Sequence, residues 1–243
     1  NQALRSSGRK QVIASAIEHP SVLEICPDDP KIAITANGVV ELESLSKTLR
    51  RRGRFAVVSV MAANNETGVI QPWEQIAEIC RVHGVPFHCD ATQWLGKLPS
   101  GEFDACDYLS ASAHKFGGVK GVGILKAPAE VSFIVGGEQE VGRRAGTENF
   151  PGVAAMLAAL EEAYSFGKAP ILEQARNAFE ESLRASIPGV EVLGENLSRL
   201  WNVSALLMPR FENLRWVGKL EKMGHEVSTG SACATGQDGP SHV

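Results

Sequence analysis

The feature that most constrains the fold is an alternation. Short runs of β-branched and apolar residues, bounded by turn residues, exchange with segments that carry the three-to-four-residue apolar period of an amphipathic helix. Strands are expected at "QVIASAI", "KIAITA", "FAVVSVMA", "VPFHCD", "YLSASA" and "GVGILKA", and after a gap at "VEVL", "WNVSALLM" and "HEVST". Helical patterns accompany them at "ELESLSKTLRRRG", "PWEQIAEICRVHG", "PGVAAMLAALEEAYSFG", "PILEQARNAFEESLRASIPG" and "ENLRWVGKLEKMG". Such a rhythm is the signature of the α/β class, a largely parallel sheet covered by helices. Pro72 near the start of the second helical pattern and Gly84 just past its end supply the expected punctuation.

With 243 residues, 44% of them hydrophobic, the chain can fill one large α/β domain and part of another. After about Gly167 the strands become sparse and the helices longer. A boundary is therefore expected near "SFGKAP", between a large domain at 1–166 and a smaller α+β unit at 167–243. Both ends read as cut: a strand begins almost at once, and the chain stops at "GPSHV" without a closing element. A net charge of -4 gives no general attraction to polyanions, so nucleic acid is not an expected partner. The one dense basic run, Arg50 to Arg54, sits where a helical pattern ends and reads as a solvated last turn. Five cysteines, odd in number and without a CxxC pair, argue against a disulfide framework and a structural zinc site. No apolar run approaches the roughly 20 residues needed to cross a bilayer, so no membrane partner is expected and a cytoplasmic location is the default.

Polar and glycine-rich clusters follow three of the expected strands: "NNETG", "DATQ" and "SAHKFGG". Ligands of open α/β sheets bind outside the carboxyl ends of the strands, so these clusters should meet in one crevice. Lys115 would enter that crevice among Ser112, Ala113, Gly117 and Gly118, which leave room for a ligand. A lysine in such a place can form a Schiff base with an aldehyde. Asp90, at a strand end, suits the carboxylate that keeps a pyridinium nitrogen protonated, though strand-end aspartates also cap turns. Ser112, His114 and the amides around Gly117 could hold a phosphate. "HCD" places consecutive side chains on opposite faces of a strand and cannot chelate a metal as a unit. "GGVKGVG" fits neither phosphate-loop nor dinucleotide spacing. Cys233, among serines, threonines and glycines, is placed as an accessible thiol, whereas Cys26, Cys80, Cys89 and Cys106 lie in or beside apolar segments that suit core packing.

On these residues the chain resembles the pyridoxal-phosphate-dependent cysteine desulfurases, in the same broad group as selenocysteine lyases and class V aminotransferases. The matching blocks are "EHPSVLE", "NNETGVIQP", "HCDATQWLGKLP", "SASAHKFGGVKGVGIL", "GGEQEVGRRAGTENFPGV", "NVS" and "STGSACATGQDGPSHV". The resemblance implies the type I pyridoxal-phosphate transferase fold: a mostly parallel, seven-stranded-type sheet with helices on both faces, and a partial small α+β domain. It also implies Lys115 as the Schiff-base lysine, Asp90 as the pyridinium partner, and Gln93 as the hydrogen-bond partner of the phenolic oxygen. His19 would be the histidine stacked on the ring, Asn65 the asparagine beside it, and Ser112 and His114 the phosphate ligands. Thr147 would reach the phosphate of the neighbouring subunit in a homodimer.

The implied catalytic residues are Lys115, Cys233 and His19. L-Cysteine would give L-alanine, and its sulfur would pass to Cys233 as a persulfide. A sulfur-acceptor protein would then take that sulfur for iron–sulfur clusters or thio-cofactors. Two readings stand beside this one: a selenocysteine lyase acting on L-selenocysteine, and a truncated non-catalytic relative that keeps a dimer or partner surface. The chain departs from the family pattern in "GGEQE", where Glu138 replaces a glycine. Nothing matches the family's threonine-containing phosphate loop or its substrate-carboxylate arginine, and Arg143 and Arg144 are not assigned that role.

Overall fold

The computed structural model describes residues 4, 8, 11–52, 56–100, 103–129, 131–165, 167, 169–230 and 241–243. The main sheet contains β1 (Gln11–Ser15), β2 (Lys31–Ile32), β3 (Ala56–Met61), β4 (Phe87–Asp90), β5 (Tyr108–Ser112) and β6 (Gly123–Lys126). Their order is β2-β1-β3-β4-β5-β6, with every pairing parallel except the last. β6 turns back because only about ten residues separate it from β5, and a parallel crossover needs about a dozen or more. The described sheet thus has six strands, against the seven-stranded type implied above, and is mostly parallel as expected.

Beside a short turn of helix at Gln139–Gly142, the helices among the described residues include α1 (Pro20–Leu23), α2 (Leu42–Arg52), α3 (Trp73–Val82), α4 (Phe150–Ser165), α5 (Ala169–Ser186) and α6 (Asn213–Lys222). The 2.0-residue period of the strands decides what each sheet face meets. Ile13, Val58, Phe87, Cys89 and Leu109 form one core with Leu45 and Leu49 of α2, Ile76 and Ala77 of α3, and Met156 of α4. Trp73 closes it, stacked on Phe103 at 4.5 Å between ring centroids, with Trp94 meeting both edge-on. On the opposite face Ala14 and Val57 pack with Leu4, Val22 and Cys26. All six residues of β3 are buried, so it is the central strand of the described sheet. Cys26, Cys80, Cys89 and Cys106 are free and buried, which agrees with core packing. Arg50 and Arg51 are exposed in the last turn of α2.

The chain beyond α4 adds α5, α6 and a small antiparallel pair, β7 (Glu191–Val192) with β8 (Leu206–Leu207). Residues 198–200 tie it to the main sheet: Ile70 N–H donates to Ser198 O at 2.9 Å, and Leu200 N–H donates to Gly68 O at 2.8 Å. Between them Arg199, 7% exposed, makes a two-pronged bond to Glu180 of α5, itself 4% exposed, at 2.8 and 2.9 Å.

Three expected strands are shorter than their apolar runs. In "KIAITA" the chain leaves the sheet after Ile32, because Thr35 and Val39 close a turn of their own at 2.8 Å. β7 and β8 pair over two residues each. "HEVST" alternates in polarity yet forms no strand: residues 225–229 are exposed and no described strand lies beside them.

Candidate active site

Within the described sheet the chain runs from β1 outward to β2, then returns to the other side of β1 for β3, β4 and β5. Such a reversal opens a crevice at the carboxyl ends of the strands on either side of it. β1 leads into Glu18 and His19. The His19 Nδ1 accepts the Ser21 backbone N–H at 3.2 Å, capping α1, and contacts Ser21 Oγ at 2.9 Å. This cap fixes the imidazole at the mouth of the crevice, half-buried.

β3 leads into the "NNETG" turn, where Asn64 and Asn65 divide the work. Asn64 is fully buried; its Oδ1 accepts the N–H groups of Glu66 and Thr67, both at 2.9 Å, and its Nδ2 donates to Ile17 O at 3.2 Å. That network pins the turn after β3 to the turn after β1 and leaves Asn65 half-buried at the tip. The sequence signal for it was present as an Asn followed by a Thr three residues on, a turn that closes on its own side chain.

β4 ends at Asp90, which stands in register with Met61 of β3 and Ser110 of β5. Its Oδ1 accepts Thr92 N–H at 2.9 Å, so Asp90 is both a turn cap and a half-buried carboxylate at the strand end. Gln93 follows in the same turn, also half-buried. Two residues back on the same face, His88 is buried between Ser59 and Ser110, with its ring nitrogens 2.9 and 3.0 Å from their hydroxyls. Burial pushes the His88 imidazole down to about 4, against the pull of Asp90, so the ring is neutral at pH 7.

β5 ends at Ser112, which enters a single 3₁₀ turn, Ala113–Phe116, with no side-chain capping bond from its hydroxyl. His114 and Lys115 are exposed on this turn, while Ala113 and Phe116 are buried beneath it. Gly117 ends the turn at φ 91°, where a side chain would be strained. A Cβ at Gly118 would lie 2.9 Å from the Cβ of Ala113, so the tight return of the chain also depends on glycine.

The turn is held from behind by residues that the sequence reading did not single out. Lys97 Nζ donates to Lys115 O at 3.1 Å. Burial first, and then the neighbouring Lys115 charge, push the Lys97 amine down to about 8. Gly96, at φ 75°, packs so closely that an added Cβ would sit 2.4 Å from the Cβ of Phe116. Gly96→Ala is therefore expected to lower stability by about 1–3 kcal/mol, through strain at positive φ and displacement of Phe116. Urea unfolding measures the loss, and an unchanged midpoint would contradict the close packing.

Cys233 lies outside the described residues. The described residues on either side of its segment meet at one point. Ser241 Oγ donates to Glu66 Oε2 at 2.7 Å, and a Cβ on Gly230 would fall 2.7 Å from the same oxygen. The next residue, His242, lies with Nε2 2.9 Å from Glu18 O. Both flanks are thus seated on the turns after β1 and β3. Thr147 is exposed in the stretch before α4 and makes no bond to the other named residues among those described. Glu138 has φ -106°, a conformation open to any residue, so replacing glycine there costs no backbone strain.

Four neighbouring strand ends therefore bring His19, Asn65, Asp90, Gln93, Ser112, His114 and Lys115 to one edge. An exposed primary amine on the turn after β5, a half-buried carboxylate at the end of the adjacent strand β4, and a Ser112 hydroxyl that makes no capping bond are residue types that suit a phosphorylated aldehyde with a ring nitrogen. Among the described residues no group of His, Cys, Asp and Glu could hold a metal ion.

Residues 3–243 match the family model described as Aminotransferase class-V. The chain is 39% identical over 247 residues to a cysteine desulfurase of Klebsiella pneumoniae, covering 97% of this chain and 62% of that protein. It is 38% identical to a cysteine desulfurase of Cereibacter sphaeroides, covering 97% of this chain and 63% of that one. Among solved structures, a NifS-like protein from Rickettsia africae superposes with a TM-score of 0.84 at 27% identity, covering 95% of this chain and 67% of that chain. A second NifS-like protein gives 0.81 at 32% identity, with 91% and 64% covered. The chain thus spans less than two thirds of the length of these curated relatives. With the family model matched over nearly the whole chain and the sheet of its solved relatives reproduced, this chain belongs to the aminotransferase class-V family.

Proposed function

We propose that the chain carries the cofactor edge of a pyridoxal-phosphate-dependent cysteine desulfurase. The observation that supports this reading is the placement of Lys115 and Asp90 at the ends of adjacent strands, β5 and β4, in a chain whose relatives are named cysteine desulfurases. Pyridoxal phosphate, when bound, supplies an electron sink for charge developing at the substrate Cα. Every other part of the chemistry falls to the chain.

Lys115 anchors the aldehyde and, once freed by L-cysteine, carries a proton to and from the substrate Cα. Its exposed position on a one-turn loop gives the amine the reach for both tasks. Asp90 would hold the ring nitrogen protonated, Gln93 would donate to the phenolic oxygen, and His19 and Asn65 would flank the cofactor. Ser112 and His114 hold the phosphate, and Thr147 reaches the phosphate of a second subunit in a homodimer. Cys233 takes the substrate sulfur as a persulfide, L-alanine leaves, and an acceptor protein removes the sulfur for iron–sulfur cluster or thio-cofactor assembly. The buried, unbridged cysteines agree with a reducing, cytoplasmic setting. The division at 166/167 into a large cofactor domain and a smaller α+β unit belongs to the same proposal.

The test is alanine release from L-cysteine by the purified chain loaded with pyridoxal phosphate. Cys233→Ala is expected to keep the visible absorption of the bound cofactor and to abolish persulfide formation. Full-rate sulfur release by that variant would overturn the role given to Cys233. Release from L-selenocysteine but not from L-cysteine would transfer the reading to a selenocysteine lyase. A folded chain that takes up no cofactor would leave only the non-catalytic relative.

A further inference from the structure

Glu18 has the most unusual setting of any acidic side chain among the described residues. It is 0% exposed, and among the described residues no cation is hydrogen-bonded to it or paired with it. Oε1 accepts the Ser15 hydroxyl at 2.5 Å and the Met61 backbone N–H at 2.8 Å. Oε2 is buried and has no partner. Its backbone carbonyl is 2.9 Å from His242 Nε2, and the next residue is His19. One residue thereby links the end of β1, the end of β3 and the described chain end at the crevice.

A charged carboxylate cannot persist in that setting at small cost. Burial of an unpaired charge is far more unfavourable than burial of a neutral acid that accepts two hydrogen bonds. The groups facing Glu18 do not offset this. Ser15 from β1 and the Met61 amide from β3 are neutral, Asp90 from β4 is acidic, and the Cys26 and Cys89 thiols lie close enough to interact with it. His242 approaches the carbonyl rather than the carboxyl.

We propose that Glu18 is a positioning residue of the cofactor edge, held as a neutral carboxylic acid whose two accepted hydrogen bonds set the turn bearing His19 against the strand end bearing Asp90. Its proton resides on Oε2, the oxygen without a donor, so no second buried charge stands against Asp90. Burial, opposed by the bonds from Ser15 and Met61 and reinforced by Asp90, pushes the carboxyl up to about 8. The roles of His19 and Asp90 rest on the functional reading above; the protonation of Glu18 does not.

The experiment compares wild type, Glu18→Gln and Glu18→Ala in two measurements. The first is urea unfolding of the chain across pH. An acid raised in the folded state binds a proton that the unfolded chain has lost. Its stabilisation is complete below about 4.5 and is lost as pH rises toward about 8. The wild type is expected to show a folded-to-unfolded ratio that falls by up to about tenfold per pH unit across that window relative to Glu18→Gln. Parallel curves would overturn the neutral-acid assignment.

The second measurement is pyridoxal phosphate affinity, read from quenching of tryptophan fluorescence. Glu18→Gln is expected to bind within about threefold of wild type at pH 7, because the amide keeps the acceptor oxygen. Glu18→Ala is expected to bind at least about tenfold more weakly. Equal affinity of Glu18→Ala and wild type would overturn the positioning role, as would loss of binding in Glu18→Gln. The two proposals fail separately: if wild type itself takes up no pyridoxal phosphate, the functional reading and the positioning role built on it fail, while the unfolding comparison still decides the state of Glu18.

Discussion

Arg199→Ala is expected to lower the unfolding free energy by about 3–5 kcal/mol, the cost of leaving a buried acid without its partner. Glu180 of α5 and Arg199 are 4% and 7% exposed, and their double hydrogen bond joins α5 to the strip of chain lying on the "NNETG" turn, beside a second bond from Arg176 Nη1 to Leu200 O at 2.6 Å. Removal of the guanidinium strands the carboxylate in the interior. Replacing both partners by apolar residues of similar volume, Arg199→Met with Glu180→Leu, should recover most of the loss. The pH dependence has a definite sign. Burial, the largest single influence, raises the Glu180 carboxyl, but the bonds from Arg199 and Ser204 together with the charges of Arg199 and Arg176 outweigh it and hold the group below its usual 4.5. A depressed acid contributes stability that is complete above the unfolded value and is lost as pH falls through the folded one. Urea midpoints between pH 3 and pH 6 would show this loss in wild type and not in the apolar pair, roughly in the carboxylate range. A cost below about 1 kcal/mol for Arg199→Ala would mean that the pair is solvated rather than buried.

Lys115→Ala should have the largest effect on activity. In the function proposed above the same amine anchors the cofactor and moves the Cα proton, and removal of a proton-transfer group alone costs about 10²–10⁴-fold. Alanine release from L-cysteine is expected to fall by at least that much, together with the visible absorption of the loaded chain. Lys97→Ala provides the contrast. Lys97 touches the carbonyl of Lys115 and not its amine, so that variant should keep the absorption and weaken turnover through a looser turn.

Much of this was legible in the sequence because the strands of a parallel sheet are long enough and apolar enough to announce themselves. β1, β3, β4 and β5 fall inside the expected runs, and the strand ends carry the polar clusters that were expected to converge. The exceptions have physical causes. The direction of β6 depends on the length of its connection, which periodicity does not encode. "KIAITA" leaves the sheet because a local turn at Thr35 competes with the ladder, and "HEVST" has the pattern of a strand without a neighbour to pair with. At the site, Lys115, Asp90 and Ser112 stood out through residue type and context. Glu18, Asn64 and Lys97 did not, because each acts through what it touches: a strand-end amide, two turn amides, a lysine carbonyl. Glu18 reads in the sequence as an ordinary helix-preceding acid. Only the packing of β3 beside it shows that water never reaches its carboxyl.

The most direct test of the central claim, that Lys115 is the covalent anchor at the end of β5, is reductive trapping. The chain is incubated with pyridoxal phosphate, reduced with borohydride, digested, and mapped by mass spectrometry for the lysine that retains the pyridoxyl group. The expected result is a single modified peptide carrying Lys115, absent from Lys115→Ala. Modification centred on Lys97 or Lys120 instead, or a pattern unchanged in Lys115→Ala, would contradict it.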